Sequence, residues 1–305
     1  LLQIVAQAKR DTNEAKILYT LAHRLSQKDF AGAKDFANQA IELSDSLNWL
    51  KGIAFGYKNL GFVFKHNTKL DESMLHFEKS KATFEKMNDQ KGIASLLNEI
   101  GVVYFYKNDY DQALEYFNQS ADLEFVIGNL RRSSGLLMNV ANIRKAQNNL
   151  PTALEFFERA LDIQTSIGDS KMVVSTLINI GTLYTDLNDT QKCIQTLEKA
   201  LKICAPLDRS ELLGTVHANL AGAYSTKGNH VKALLYANKA LELYKETNYQ
   251  KGIPVVLHII GAIHYNRKEY PQALIRYEEA YIITKEQKDK NMLSQKDGLV
   301  KLPFK

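Results

Sequence analysis

Apolar and polar positions along this chain recur with a period of 40 residues, so that segments 11–50, 51–90, 91–130, 131–170, 171–210, 211–250 and 251–290 align without a gap. A period of this length marks stacked units, none of which can bury its apolar face alone. One column holds Ala33, Ser73, Ala113, Ala153, Cys193, Ala233 and Ala273, and seven residues later another holds Ala40, Ser80, Ser120, Ala160, Ala200, Ala240 and Ala280. Small residues in both columns predict a neighbouring helix passing over them. Between them stands a bulky column of Phe77, Phe117, Phe157, Leu197 and Tyr277. Upstream lie Gly61, Gly101, Gly181 and Gly261, with an aromatic three residues on in Phe64, Tyr104 and Tyr184.

Polar punctuation splits each repeat into two helices, A and B. Asp29, Asp109, Asn149, Asp189 and Asn229 share a column, preceded by Asn108, Asn148, Asn188 and Gly228, which are turn and N-cap types ahead of a second apolar-periodic run. Pro151 and Pro271 fall in the first turn of helix B and Pro254 opens a helix A, where a missing N–H costs nothing. Asn48, Asn88, Gly128, Gly168, Asp208 and Asn248 form a column that tolerates the left-handed conformation ending a helix. The expected fold is an all-α superhelical solenoid of seven helix–turn–helix repeats within residues 1–290. Residues 291–305 begin an eighth helix, but Lys301 stands where the glycine belongs and Pro303 breaks the run, which reads as a capping helix or truncated linker.

Composition fits a well-packed helical protein, with 45% hydrophobic residues, 24% charged and five prolines. The net charge of +5 is concentrated after residue 250 and no basic stripe runs along the helices, so nucleic acid is not expected as a partner. The longest apolar stretch, near Val255 to Ile263, is broken by His258 and is far shorter than the ~20 residues of a membrane span. Cys193 and Cys204 sit eleven residues apart on one expected helix, ~16 Å along its axis and beyond disulfide reach, which makes them packing residues. Unpaired thiols favour the cytoplasm. The sequence begins at Leu1 and has no signal-peptide pattern, which leaves a targeting segment, and with it a periplasmic location, open.

Motifs for catalysis, phosphate binding or metal ligation are absent from the sequence, so neither an enzyme nor a cofactor is expected. His258 and His264, six apart on one helix, point to different faces as a surface and a packing residue.

The columns resemble the tetratricopeptide repeat (TPR) family. Its motif of Leu-Gly, aromatic, Ala, aromatic and Ala has counterparts in Ile100-Gly101, Tyr104, Ala113, Phe117 and Ser120, and in Ile180-Gly181, Tyr184, Cys193, Leu197 and Ala200, over residues 11–290. The 40-residue spacing is similar to the longer repeats of kinesin light chain, the mitotic adaptor LGN, Rap-type peptide receptors and the sensor segments of bacterial histidine kinases and LuxR-type regulators. The resemblance implies a protein- or peptide-binding module whose groove is built from the A helices, as the sensory or scaffolding part of a bacterial signalling protein. A static scaffold for a folded partner, and the regulatory region of a larger kinase or cyclase, remain as alternatives. The oligomeric state is left open.

Two positions before the glycine column stand Asn59, Asn139, Asn179 and Asn219, with Asn98 one place earlier in its repeat and Glu99 in the column itself. Such a ladder of amides is able to hydrogen-bond the backbone of an extended peptide, and the resemblance carries that expectation to these residues. It is equally able to bridge adjacent A helices and fix their stacking. Other groove candidates are Phe55, Lys58, Phe62, Lys65, Phe105, Tyr106, Asn142 and Lys145 in the early repeats, an aromatic and basic set that suits a ligand with an apolar anchor and a carboxylate. Thr182, Thr185, Ser225 and Thr226 line the later ones. The two-carboxylate clamp of chaperone-binding TPRs requires Asn just after the glycine column, which only Asn142 supplies.

Overall fold

The computed structural model describes the backbone of residues 11–207 and 210–300, and the side chains of 11–207 and 211–286. Fourteen helices and no strand occur among the described residues. The A helices are α1 (Thr12–Leu25), α3 (Leu50–His66), α5 (Gln90–Tyr106), α7 (Leu130–Ala146), α9 (Ser170–Asp186), α11 (Ser210–Thr226) and α13 (Gly252–Asn266). The B helices are α2 (Phe30–Ser46), α4 (Leu70–Lys86), α6 (Tyr110–Val126), α8 (Leu150–Ser166), α10 (Thr190–Cys204), α12 (His230–Glu246) and α14 (Tyr270–Val300). Every B helix begins 40 residues after the last. Because α14 runs unbroken to Val300, residues 291–300 prolong the seventh B helix instead of opening an eighth helix, and 301–305 lie outside the described residues.

The turns follow the residue types. Asp29, Asp109, Asn149, Asp189 and Asn229 cap their B helices by accepting a backbone N–H three residues on. Asn108, Asn148, Asn188 and Gly228, one residue earlier, hold positive φ. Asn48, Asn88, Gly128, Gly168 and Asn248 do so between repeats, and Asp208 lies outside the described residues.

The helices fall into two compact units, residues 1–147 with α1–α7 and 148–305 with α8–α14, divided in the A–B turn of the fourth repeat. In the first unit α1/α2, α3/α4 and α5/α6 pair, and α2, α4 and α6 pack on α3, α5 and α7. In the second, α9/α10, α11/α12 and α13/α14 pair in the same way, α8, α10 and α12 pack on the following A helix, and α11 lies against α9 and α13. Within each unit consecutive helix pairs thus stack as a solenoid. The glycine column exists for the bulky one. A Cβ on Gly101 would lie 2.8 Å from the Phe117 ring, one on Gly261 2.7 Å from Tyr277, and one on Gly61 against the fully buried Phe77 ring. The small columns carry a polar bond as well, since Ser73 Oγ donates to Gly61 O (2.8 Å), Ser80 Oγ to Ala54 O (2.7 Å) and Ser120 Oγ to Ala94 O (2.7 Å) across the A–B interface.

Among the described residues no helix is long and apolar enough to cross a membrane, and no cluster of three His, Cys, Asp or Glu could hold a metal ion. Cys193 and Cys204 are both buried in α10, and burial pushes their thiols up. His258 is exposed against the Tyr277 ring, while His264 is half-buried and paired with Glu269 at 2.6 Å.

Candidate functional site

The A helices of the first unit bring most of the early candidates onto one face. Lys58 and Lys65 leave α3 on either side of Phe62, with ammonium groups 5.7 and 4.8 Å from the ring centroid. Phe62 is held edge-on against His23 (5.0 Å) and Phe77 (5.7 Å), so the ring is fixed in place. Lys65 Nζ reaches across to Glu99 Oε2 on α5 at 2.6 Å, and Asn98 Nδ2 donates to Glu99 Oε1 at 3.2 Å. Lys58 Nζ donates instead to the Ser95 hydroxyl at 2.6 Å. Burial pushes the Lys58 ammonium below the ordinary lysine value. Glu99 counteracts this, Arg132 and Lys65 add to it, and Glu124 opposes it weakly.

Arg132, on α7, completes this face. Its Nη2 lies 3.4 Å from the same Ser95 oxygen, and its Nε is 2.8 Å from Glu124 Oε1. Glu124 is only 2% exposed and takes a second bond from Asn129 Nδ2 at 2.8 Å, so both carboxylate oxygens are satisfied. Ser95, Arg132 and Glu124 escaped the sequence reading. The signal was there in the columns, because Arg132 stands in line with Gly52, Gly92 and Gly252, and Glu124 in line with Phe84 and Tyr244.

The asparagines divide. Asn59 is 6% exposed, and its Nδ2 donates to Phe55 O of its own helix at 2.7 Å, while Asn219 Nδ2 does the same to Thr215 O at 2.8 Å. These two amides neither bridge A helices nor, in the case of Asn59, reach the surface. Asn139 and Asn142 are exposed and Asn179 half-exposed, and none makes a side-chain hydrogen bond among the described residues. Lys145 is half-buried near the end of α7. Phe105 and Tyr106 are exposed at the end of α5, where Phe105 lies edge-on to Tyr110 at 5.4 Å. In the second unit Thr182, Thr185 and Thr226 donate to carbonyls of their own helices, which leaves that face with less to offer a ligand.

A family model described as Tetratricopeptide repeat matches residues 133–205 and 172–246, and a second so described matches 94–125. A model of Anaphase-promoting complex subunit 5 matches residues 244–298. No curated protein matches the sequence. Among solved structures the chain is similar to a signal transduction ATPase (STAND) protein with a tetratricopeptide repeat sensor from Pyrococcus horikoshii, at 16% identity and a TM-score of 0.73, covering 93% of this chain and 44% of that one. It is also similar to the C-terminal part of a TPR repeat-containing protein from Cytophaga hutchinsonii (14% identity, TM-score 0.62, 90% and 95% covered). A third similar structure is a Rap protein complexed with Competence and Sporulation Factor (16%, 0.56, 93% and 80%). At these identities the likeness is one of fold. Helix pairs repeating every 40 residues, a glycine column seated on bulky side chains, and matching repeat models in both units make the chain a member of the tetratricopeptide repeat family.

Proposed function

We propose that this chain is a non-enzymatic protein-binding module that takes an extended peptide on the A-helix face, as the sensory or scaffolding part of a larger bacterial signalling protein. The tetratricopeptide fold is generally a non-catalytic protein-interaction module. The observation that carries the finer reading is the pair Asn139 and Asn142 on α7 of the first unit and, by itself, Asn179 on α9 of the second, whose amides are open to solvent and make no bond within the described chain. Each offers a donor pair and an acceptor, the complement of a peptide backbone, and the unit that holds Asn139 and Asn142 also carries the aromatic side chains of Phe62, Phe105 and Tyr106. A sensory role draws support from the STAND neighbour, whose sensor is built of tetratricopeptide repeats and of which this chain spans 44%. The likeness to a Rap protein complexed with Competence and Sporulation Factor points the same way.

The geometry selects the variant for the test. Substituting Asn59 or Asn219 would also remove a bond to the helix, whereas Asn139→Ala, Asn142→Ala and Asn179→Ala leave internal bonds intact and should each change stability by no more than about 0.5 kcal/mol. Affinity capture with the chain and with this triple variant, followed by calorimetric titration of the captured partner's extended segments, tests the reading. A partner retained by the chain and lost by the equally stable variant supports it. Equal capture of a folded partner by both would move binding to another surface and favour the scaffold alternative.

A further inference from the structure

The first repeat and the seventh present outer faces of opposite character. In α1, Asn13, Lys16 and Thr20 are exposed, in columns where α13 carries Ile253, Val256 and Ile260 buried against the preceding repeat. A polar face of this kind offers a further helix pair no apolar seat, so a second copy cannot dock on it head to tail. The seventh repeat is the reverse. Its outer groove is lined by Val255, Ile259, Tyr277 and Tyr281 with Leu274 beside it, and Val255, Leu274 and Tyr281 are 57%, 57% and 67% exposed. An apolar surface of this kind marks an interaction site. From Thr284 to Val300 α14 continues for ~24 Å along its own axis, which leads the chain past the groove and not back over it.

The pattern along α14 selects the occupant. Leu274, Glu278, Tyr281 and Lys285 are all exposed, and their spacing of four, three and four residues places them on one stripe bordering the groove. Two such stripes laid antiparallel, about a two-fold axis between Tyr281 and Ile282, set Glu278 of each copy opposite Lys285 of the other. The same axis brings the two Tyr281 rings together at the centre. We infer that the seventh repeat is a homodimerisation surface, on which α14 of one copy lies antiparallel to α14 of a second over the open groove. An isologous contact requires this self-complementarity, since each residue must find across the axis the partner that it also supplies. The residue at the centre fits the assignment. Its column elsewhere holds Ile41, Leu161, Leu201 and Leu241, half-buried against the neighbouring core, whereas tyrosine buries a ring and keeps its hydroxyl in water, as suits a surface that is wet in one state and covered in another. One helix and one groove per copy make a small interface, so the pairing is reversible and the groove stands open in dilute solution.

The test is the mass of the full chain in solution, read by sedimentation velocity and light scattering from about 1 to about 300 µM, a range that brackets the affinity of a small interface. The mass should double across it and stop there, because a two-fold contact closes on itself. Glu278→Lys and Lys285→Glu each set like charges across the axis, and each alone should weaken self-association at least about tenfold. Both side chains are exposed, so the melting temperature should not change. Mixing the two variants restores both opposite-charge pairs and should recover a heterodimer of parental affinity, which a folding defect would not. Hydrogen exchange at the lowest concentration reads the open groove, and at the highest the α14 peptides around Tyr281 should gain protection. A parent chain that stays monomeric at the highest concentration, or assembles beyond the dimer, would overturn the surface. So would single variants that associate as tightly as the parent, or a mixture that associates no more tightly than either variant alone.

Discussion

Thr68 and Lys268 hold φ of 59° and 62° in the A–B turn, at the position where other repeats place Asn108, Asn148, Asn188 and Gly228. The left-handed region is costly for a β-branched side chain, because Cβ crowds the following carbonyl oxygen. Thr68 recovers little, as its hydroxyl bonds only to the exposed Asn67 carbonyl. Replacing Thr68 by Gly should therefore raise stability by about 0.5–1 kcal/mol, read as a higher urea midpoint. His217 costs stability in a different way. It is buried against Tyr236 with Nδ1 unpaired, and burial, aided by Lys239, lowers its pKa from 6.5 to about 4. The unfolded chain thus binds a proton at pH values where the folded one does not. Stability associated with this residue is whole above pH 6.5 and is lost as pH falls toward 4, by up to about 3 kcal/mol. His217→Phe, which preserves the ring contact, should melt with a weaker pH dependence than the parent between pH 7.5 and 4.5, and identical dependence would disprove this account.

Between elements, the same column is solved in two ways. Where a B helix carries Phe84 or Tyr244, the following A helix carries Gly92 or Gly252, and the ring occupies the space a Cβ would need. Between α6 and α7 the pair is Glu124 and Arg132 instead, an ion pair with one partner almost wholly buried. Arg132→Ala leaves the Glu124 carboxylate with one bond from Asn129 and should cost on the order of 2–4 kcal/mol. The double change Glu124→Phe with Arg132→Gly restores the ring-on-glycine packing and should cost less than that single change. Denaturant titration of the two variants checks the ordering, and a double variant less stable than Arg132→Ala would show that the two kinds of interface are not interchangeable. Helix limits, caps and left-handed turns were legible in the sequence because a residue type at each column imposes one local geometry. The destination of a side chain was less so. Asn59 and Asn139 share a column, yet one folds back onto its own helix and the other faces solvent, a choice set by the neighbouring helices' side chains. The ion pair was legible only in hindsight, as a simultaneous departure of two facing columns.

At the scale of the whole molecule, stability in a stack of repeats is the sum of each repeat's own contribution and its contacts with its neighbours, so position within a unit decides local stability. In the second unit a contiguous apolar core runs from Val173 to Ala280, and α11 is packed on both sides, with Val216, Leu220 and Ala221 fully buried. The seventh repeat has a neighbour on one side among the described residues. Its other side is an open apolar groove lined by Pro254, Val255, His258, Ile259, Tyr277, Ala280, Tyr281 and Thr284, with Val255 57%, Tyr281 67% and Ile282 55% exposed. Opening α14 therefore exposes one interface, whereas opening α11 exposes two. A difference of one buried interface, on the order of 3–4 kcal/mol, corresponds to roughly a 10²–10³-fold difference in amide exchange. Hydrogen exchange read by mass spectrometry should show peptides from α14 beyond Ala280 exchanging that much faster than those from the middle of α11. Equal protection would mean that the unit opens as one cooperative body, and the end repeat would then owe its stability to the unit as a whole rather than to its single packed face.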